Sequence, residues 1–172
     1  MKPLRKLAFF CAAASLAGLA ACQQSPAPAP SETPATPETV TNGPDAKPGM
    51  SASDGRLVLP VIAGRPAAAY FRIRNDGDKS ATLVSVYIAG APKAEMHKTE
   101  GGKMSAVREI EIAPGQSVEF APGGLHVMAF DVSDLVKAGG TAELTLTFSD
   151  GDKLSMPLAI ETMGDAMGGM HH

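Results

Sequence analysis

Two runs of alternating apolar and polar residues constrain the fold of this chain most strongly. Between residues 141 and 160, apolar side chains recur at every second position, and the sequence Ser149-Asp150-Gly151-Asp152 separates the two runs. Successive side chains of a strand point to opposite faces, so each run predicts a strand with one buried face. The turn residues between them predict an antiparallel β-hairpin.

The same pattern continues through the middle of the chain. Ala69, Phe71 and Ile73 alternate with polar or basic residues until the turn sequence 75–78, and residues 83–88 form a more continuous apolar run typical of an interior strand. Pro-Gly sequences mark further turns, and no segment from Leu57 onward has the period of a helix. About eight short strands therefore predict an all-β fold, an antiparallel β-sandwich, rather than a fold with a parallel sheet.

The first 48 residues differ from this domain. A basic start and a short apolar run predict a signal peptide over residues 1–21, too short to span a bilayer. Leu19-Ala20-Ala21-Cys22 resembles the lipobox of bacterial lipoproteins, so Cys22 is the predicted lipidation site; the alternative is a plain signal peptide with an incidental cysteine. Residues 22–48, rich in Pro, Ala and Thr, predict an extended tether between the membrane and a folded domain over residues 49–161.

Cysteine content and charge exclude several function classes. Cys11 would leave with the signal and Cys22 would carry lipid, so the mature chain would hold no cysteine for a nucleophile, a redox pair, a zinc-thiolate site or a blue-copper site. Without the basic residues of the signal, 12 basic residues remain against 18 acidic ones, a net charge near −6. Nucleic acid is therefore not an expected partner.

Four His and Met residues carry the predicted chemistry. His126 and Met128 are two residues apart on a predicted strand, so both side chains leave the same face. A hairpin between the strands of His97 and Met104 would bring these two residues together, and adjoining strand pairs would complete a site of two imidazoles and two thioethers. Met96 alternates to the face opposite His97 and is predicted to lie in the core, as is Met156.

These ligand types select the metal. Thioether sulfur binds soft Cu(I) well, whereas Zn²⁺, Ca²⁺ and Mg²⁺ prefer nitrogen or oxygen donors. Protons compete for imidazole nitrogen, so affinity should weaken below about pH 6. The Gly-rich tail, residues 162–172, is predicted to be flexible and could collect copper, including Cu(II), through accessory ligands; the alternative is a disordered tail or a tag remnant. The candidate tail ligands are Met163, Met167, Met170, His171 and His172.

The stretch from Ala67 to Ile160 resembles the periplasmic copper chaperone family called PCuAC. Met104 and His126 keep the family's gap of twenty-one intervening residues, and His126-Val127-Met128 follows Pro122-Gly123-Gly124 as in the family motif. Ala69-Tyr70-Phe71 and the strand 144–148 also resemble it. One departure is the spacing of His97 and Met104, with six intervening residues where the family usually has ten, so Met96 or a tail His stays open as a replacement for His97.

The resemblance implies a cupredoxin-like or Ig-like β-sandwich that binds Cu(I) at an exposed site and transfers it, without being an enzyme. The implied recipients are a cytochrome c oxidase subunit or its assembly factor. It also implies a periplasmic lipoprotein held to the membrane by its lipid anchor, and Gln23 after the cysteine favours the outer membrane of a Gram-negative bacterium.

Two other hypotheses remain. A copper oxidase or reductase would need a centre richer in histidine, and the chain has four His, two of them in the tail. A non-metal surface lipoprotein with a scaffold or adhesion role would make the Met and His positions accidental. A metal-binding assay separates this scaffold hypothesis from that of a copper carrier.

Overall fold

The computed structural model describes residues 47–168, which form ten strands and one short helix. The elements are β1 (Met50–Leu59), β2 (Ala67–Asn75), β3 (Ala81–Ile88), β4 (Lys93–Glu100), β5 (Lys103–Ala106), β6 (Ile110–Ile112), β7 (Ser117–Phe120), β8 (Leu125–Phe130), β9 (Thr141–Phe148), β10 (Lys153–Thr162) and α1 (Met163–Gly168). The predicted all-β fold is confirmed. In this part of the chain, no helix is long and apolar enough to cross a bilayer.

The strands form one curled sheet in the order β5-β4-β8-β7-β2-β1-β10-β9-β3-β6, and β8 also pairs directly with β2. Most neighbours are antiparallel, as predicted, but β1 pairs with β10 in parallel, and β7 meets β8 in parallel at Phe120 and Leu125. These two pairings are local exceptions in a sheet that is otherwise antiparallel. Parallel neighbours need no local turn between them, so no turn sequence marks them.

The predicted hairpin is present as β9 and β10, with Leu146 opposite Leu154 and Leu144 opposite Met156. The alternating apolar side chains of both strands enter one core that is shared with β2, β3 and β8. Met96 and Met156 are both buried in this core, as the alternation predicted. Within the core, Phe71 and Phe120 stack with their ring centroids 4.2 Å apart.

Helix α1 differs from the flexible tail expected after residue 161. Strand β10 extends to Thr162, and this residue starts the helix by exchanging hydrogen bonds with Asp165. Such a reciprocal capping contact satisfies backbone donors at the first turn and so stabilises a helix that its glycines disfavour.

Strand β8 determines which side chains face outward near the candidate site. Val127 and Ala129 are completely buried in the core. Because side chains alternate along a strand, His126 and Met128 leave the opposite, outer face of the sheet.

Candidate metal centre

Three neighbouring strands, β5, β4 and β8, present the predicted ligands on one face of the sheet. Strand β4 pairs with β8 so that His97 is directly opposite His126 and Glu95 is opposite Met128. On its other side, β4 pairs with β5, which sets Thr99 opposite Met104. Directly opposed residues in an antiparallel pair share a face, so all four predicted ligands lie on the outer side of this part of the sheet.

His97 is the centre of this arrangement. It is the direct partner of His126, with ring centroids 6.0 Å apart, and it is diagonal to both Met128 and Met104. Diagonal neighbours lie about 7–8 Å apart, within reach of long side chains. Bonds of about 2 Å between a metal and imidazole nitrogen are compatible with one ion between the two rings.

The two methionines lie on opposite sides of His97. Their register positions on β4, Thr99 and Glu95, are four residues apart, so Met104 and Met128 are separated by about 13 Å along the strands and by two strand spacings of about 4.8 Å. The structure therefore brings His97, His126 and Met128 together, whereas Met104 lies at the margin on an edge strand.

The site is sheltered at the histidines and open at the edge strand. His126 is 7% exposed, and Met104 is 54% exposed. All four residues of β5 are exposed. A partner could therefore approach the cluster from the Met104 side without displacing the core.

A backbone contact fixes the tautomer of His126. Its Nδ1 lies 3.0 Å from the carbonyl oxygen of Gly124. A carbonyl can only accept, so Nδ1–H donates and Nε2 carries the free lone pair. In the neutral ring this contact leaves Nε2 as the nitrogen that can bind a metal.

His97 has the opposite arrangement. Its Nε2 lies 3.3 Å from Glu95 Oε2, and its Nδ1 is buried with no hydrogen-bond partner. Hydrogen bonds from Lys93 and then from His97 lower the pKa of Glu95, so the carboxylate is ionised and accepts from Nε2–H. The unpartnered lone pair of Nδ1 fits a metal ligand, since buried polar atoms otherwise find partners.

Glu95 is a site residue that the sequence argument missed. Its signal was the two-residue spacing from His97 on a predicted strand, the same spacing that singled out His126 and Met128. A carboxylate is a poor ligand for Cu(I), so Glu95 is not expected to bind the metal itself.

The remaining candidates lie elsewhere. Met96 is buried on the core side of β4, so it cannot replace His97 on the outer face. Met163 is 45% exposed at the start of α1, which follows β10, and β1 and β2 separate β10 from β8. Met167 belongs to α1, whereas Met170, His171, His172 and Cys22 lie outside the described residues. Between residues 47 and 168, no three His, Cys, Asp or Glu side chains are grouped to hold a metal ion.

The curled sheet and its core define a cupredoxin-like β-sandwich with a His/Met cluster on its outer face. Residues 50–160 match the family model described as "Putative lipoprotein LpqE-like", and the chain belongs to this family. A curated relative, "Putative lipoprotein Lxx21020" of Leifsonia xyli subsp. xyli, is 30% identical over an alignment of 98 residues, and the match covers 54% of this chain. The match spans 58% of the length of that relative.

Solved structures similar to this chain include PCuAC domains, which confirms the resemblance found in the sequence. The copper-bound PCuAC domain from PmoF2 has a TM-score of 0.57 at 25% identity, over 66% of this chain and 93% of that domain. The solution structure of CuI-DR1885 from Deinococcus radiodurans has a TM-score of 0.55 at 23% identity, over 70% of this chain and 83% of its own. The second likeness concerns the fold alone.

Proposed function

We propose that this protein binds Cu(I) at His97, His126 and Met128, with Met104 as the fourth ligand, and carries the ion to a receiving protein. The observation that carries the proposal is the pair of opposed histidines on β4 and β8. Each ring has one nitrogen in a hydrogen bond and the other available as a lone pair. Met128, two residues from His126 on the same face, adds the soft donor that favours copper.

The similarity to a copper-bound PCuAC domain supports this proposal from a separate direction. That similarity extends over nearly the whole of the solved domain, and the cluster of His97 lies within the matched family region, residues 50–160. A shared fold alone does not establish a function, so the proposal depends on the side chains of this chain.

The openness of the cluster favours a carrier over an enzyme. Met104 lies on an exposed edge strand and can be exchanged for a donor atom of a partner while the two histidines still hold the ion. A stepwise exchange of ligands moves copper without releasing it to water. An oxidase or reductase would instead need an enclosed, redox-active centre.

The recipient and the location belong to the same proposal. A cytochrome c oxidase subunit or its assembly factor is the candidate recipient, and lipid on Cys22 would hold the protein in the periplasm at the outer membrane. The lipoprotein descriptions of the matched family and of the curated relative support anchoring to a membrane of the cell envelope.

An anaerobic Cu(I) titration against a coloured chelator tests the site. The wild-type chain should bind one Cu(I) tightly, and the double variant H126A/M128A should lose this binding. A chain ending at Thr162 should keep it, because this truncation preserves β10 and removes only α1 and the tail.

The opposite pattern of binding would indicate that the tail, and not the strand site, holds the copper. If binding survived in H126A/M128A and disappeared with the truncation, the proposed site would be wrong and Met163, Met167, Met170, His171 and His172 would be the collectors. If neither the full chain nor the truncation bound copper, the alternative of a non-metal scaffold lipoprotein would be favoured.

A further inference from the structure

We propose that Glu95 is a positioning residue, which accepts a hydrogen bond from His97 and so makes Nδ1 of that ring the nitrogen that binds the metal. This inference rests on the proposed function, because it assigns a role within the same site. It also predicts which nitrogen of His97 carries the proton in the metal-free protein, and this can be measured without copper.

The geometry of the pair excludes the other tautomer on energetic grounds. With the proton on Nδ1, a buried N–H would have no acceptor, while Nε2 would turn a lone pair toward the carboxylate 3.3 Å away. A buried donor without a partner is costly, and two facing acceptors repel. With the proton on Nε2, the hydrogen bond to Glu95 is charge-assisted and the buried nitrogen needs no acceptor.

Glu95 is itself held in place on both sides. Its other oxygen pairs with Lys93 Nζ at 3.0 Å, and its backbone is opposite Met128 in the β4–β8 register. The carboxylate is therefore directed along β4, with one oxygen toward Lys93 and the other toward His97. In consequence the two opposed rings offer different nitrogens, Nδ1 from His97 and Nε2 from His126.

A carboxylate behind a ligating histidine orients the ring and raises its basicity. Removing such an outer partner typically weakens metal affinity 10–100-fold. We expect E95A to lose affinity for Cu(I) by at least tenfold. E95Q should retain most of it, because the amide oxygen can still accept from Nε2–H although the charge is gone.

The experiment uses the full-length chain in detergent micelles, labelled with ¹⁵N-histidine, at a pH where the imidazoles are neutral. Long-range ¹H–¹⁵N spectra distinguish a protonated ring nitrogen from one with a lone pair. In the metal-free wild type, His97 should have its proton on Nε2 and His126 on Nδ1. E95A should bring His97 to a mixture of tautomers and leave His126 unchanged, and E95Q should restore His97.

E100A is the matched control. Glu100 is on the same strand and its removal makes the same change in charge, but its side chain pairs with Lys98 on the opposite face. It should alter neither the tautomer of His97 nor the affinity for Cu(I).

Three results would overturn the inference: a proton on Nδ1 of His97 in the wild type, an unchanged tautomer in E95A, or equal losses of affinity in E95A and E95Q, which would indicate an effect of charge. If the tautomers behaved as expected but the wild type bound no copper, the proposed function would fail while Glu95 would still be shown to set the ring of His97.

Discussion

His97 lies directly opposite His126 across β4 and β8, with ring centroids 6.0 Å apart and an angle of 30° between the rings. The two residues come from distant parts of the chain, and the strand pairing alone brings them together. Each ring donates one hydrogen bond to a neighbour on its own strand or turn. The hydrogen bond determines which nitrogen of the ring is free to bind a metal, before any metal is present. This preorganisation reduces the cost of ordering the ligands on binding.

The two methionines should contribute unequally to copper affinity. Met128 shares a strand with His126, whereas Met104 must be drawn in from a four-residue edge strand, which costs conformational freedom. We expect M128L to weaken Cu(I) binding by at least tenfold and M104L to weaken it less, in a competition titration. M96L is the control, because it changes a thioether buried in the core; a larger loss in M104L than in M128L would contradict the unequal roles.

The stacked pair Phe71 and Phe120 should dominate the stability of the half of the sheet that supports the site. Both rings are 2% exposed, and Phe120 immediately precedes the turn that leads to His126. Truncating a buried Phe removes apolar contacts and leaves a cavity, so F120A should lower the free energy of unfolding by about 3–5 kcal/mol. Urea denaturation measures this, with V118A on the same strand as a milder control. A loss below about 1 kcal/mol in F120A would show that the ring is not packed as described.

Local sequence patterns predicted the strands and turns that are specified by a few consecutive residues. The alternation of residues 141–160 predicted β9, β10 and the burial of Met156, because a strand buries every second side chain wherever its neighbours come from. The face shared by His126 and Met128 followed from the same rule.

Pairings between distant strands could not be predicted in this way. His97 lies opposite His126 because β4 lies between β5 and β8 in the sheet. This strand order depends on the packing of the whole sheet. The same holds for the parallel neighbours β1 and β10. Helix α1 was missed because Gly164 and Gly168 weakened the helical pattern, although Thr162 and Asp165 have the spacing of a capping pair.

Asn75 should be a sensitive structural position, because its buried side chain connects the turn after β2 to the end of β6. Its amide donates to the carbonyls of Lys79 and Ile112, and its Oδ1 accepts from the backbone N–H of Gly77. N75A would leave these groups unpaired, and N75D would set a carboxylate against two carbonyl oxygens. We expect N75A to cost about 1–3 kcal/mol of unfolding free energy and N75D more.

The urea midpoints of both variants would be compared with that of D78A, since Asp78 is exposed in the same turn. We expect D78A to stay within about 0.5 kcal/mol of the wild type. If N75D were as stable as the wild type, the amide donors of Asn75 would not be needed.

The start of α1 should depend on pH through Asp165. Hydrogen bonds from the side chain and then from the backbone N–H of Thr162 lower the pKa of Asp165. A carboxyl group with a lowered folded-state pKa stabilises the structure above its unfolded value, about 3.9, and this contribution disappears as the pH falls through the folded-state pKa. We therefore expect the amides of Thr162 and Asp165, which form the capping contact, to lose protection from hydrogen exchange in acid at a pH where β9 and β10 remain protected.

D165N isolates the carboxylate in this experiment. Its amide oxygen can still accept from Thr162 but has no charge to titrate, so the helix should be less protected at neutral pH and should show a flatter response to acid. D134N removes a carboxylate that is exposed and distant in sequence from α1, and it should keep the wild-type profile. A wild-type helix whose protection is constant down to the pH at which the strands open would mean that Asp165 does not control the start of α1.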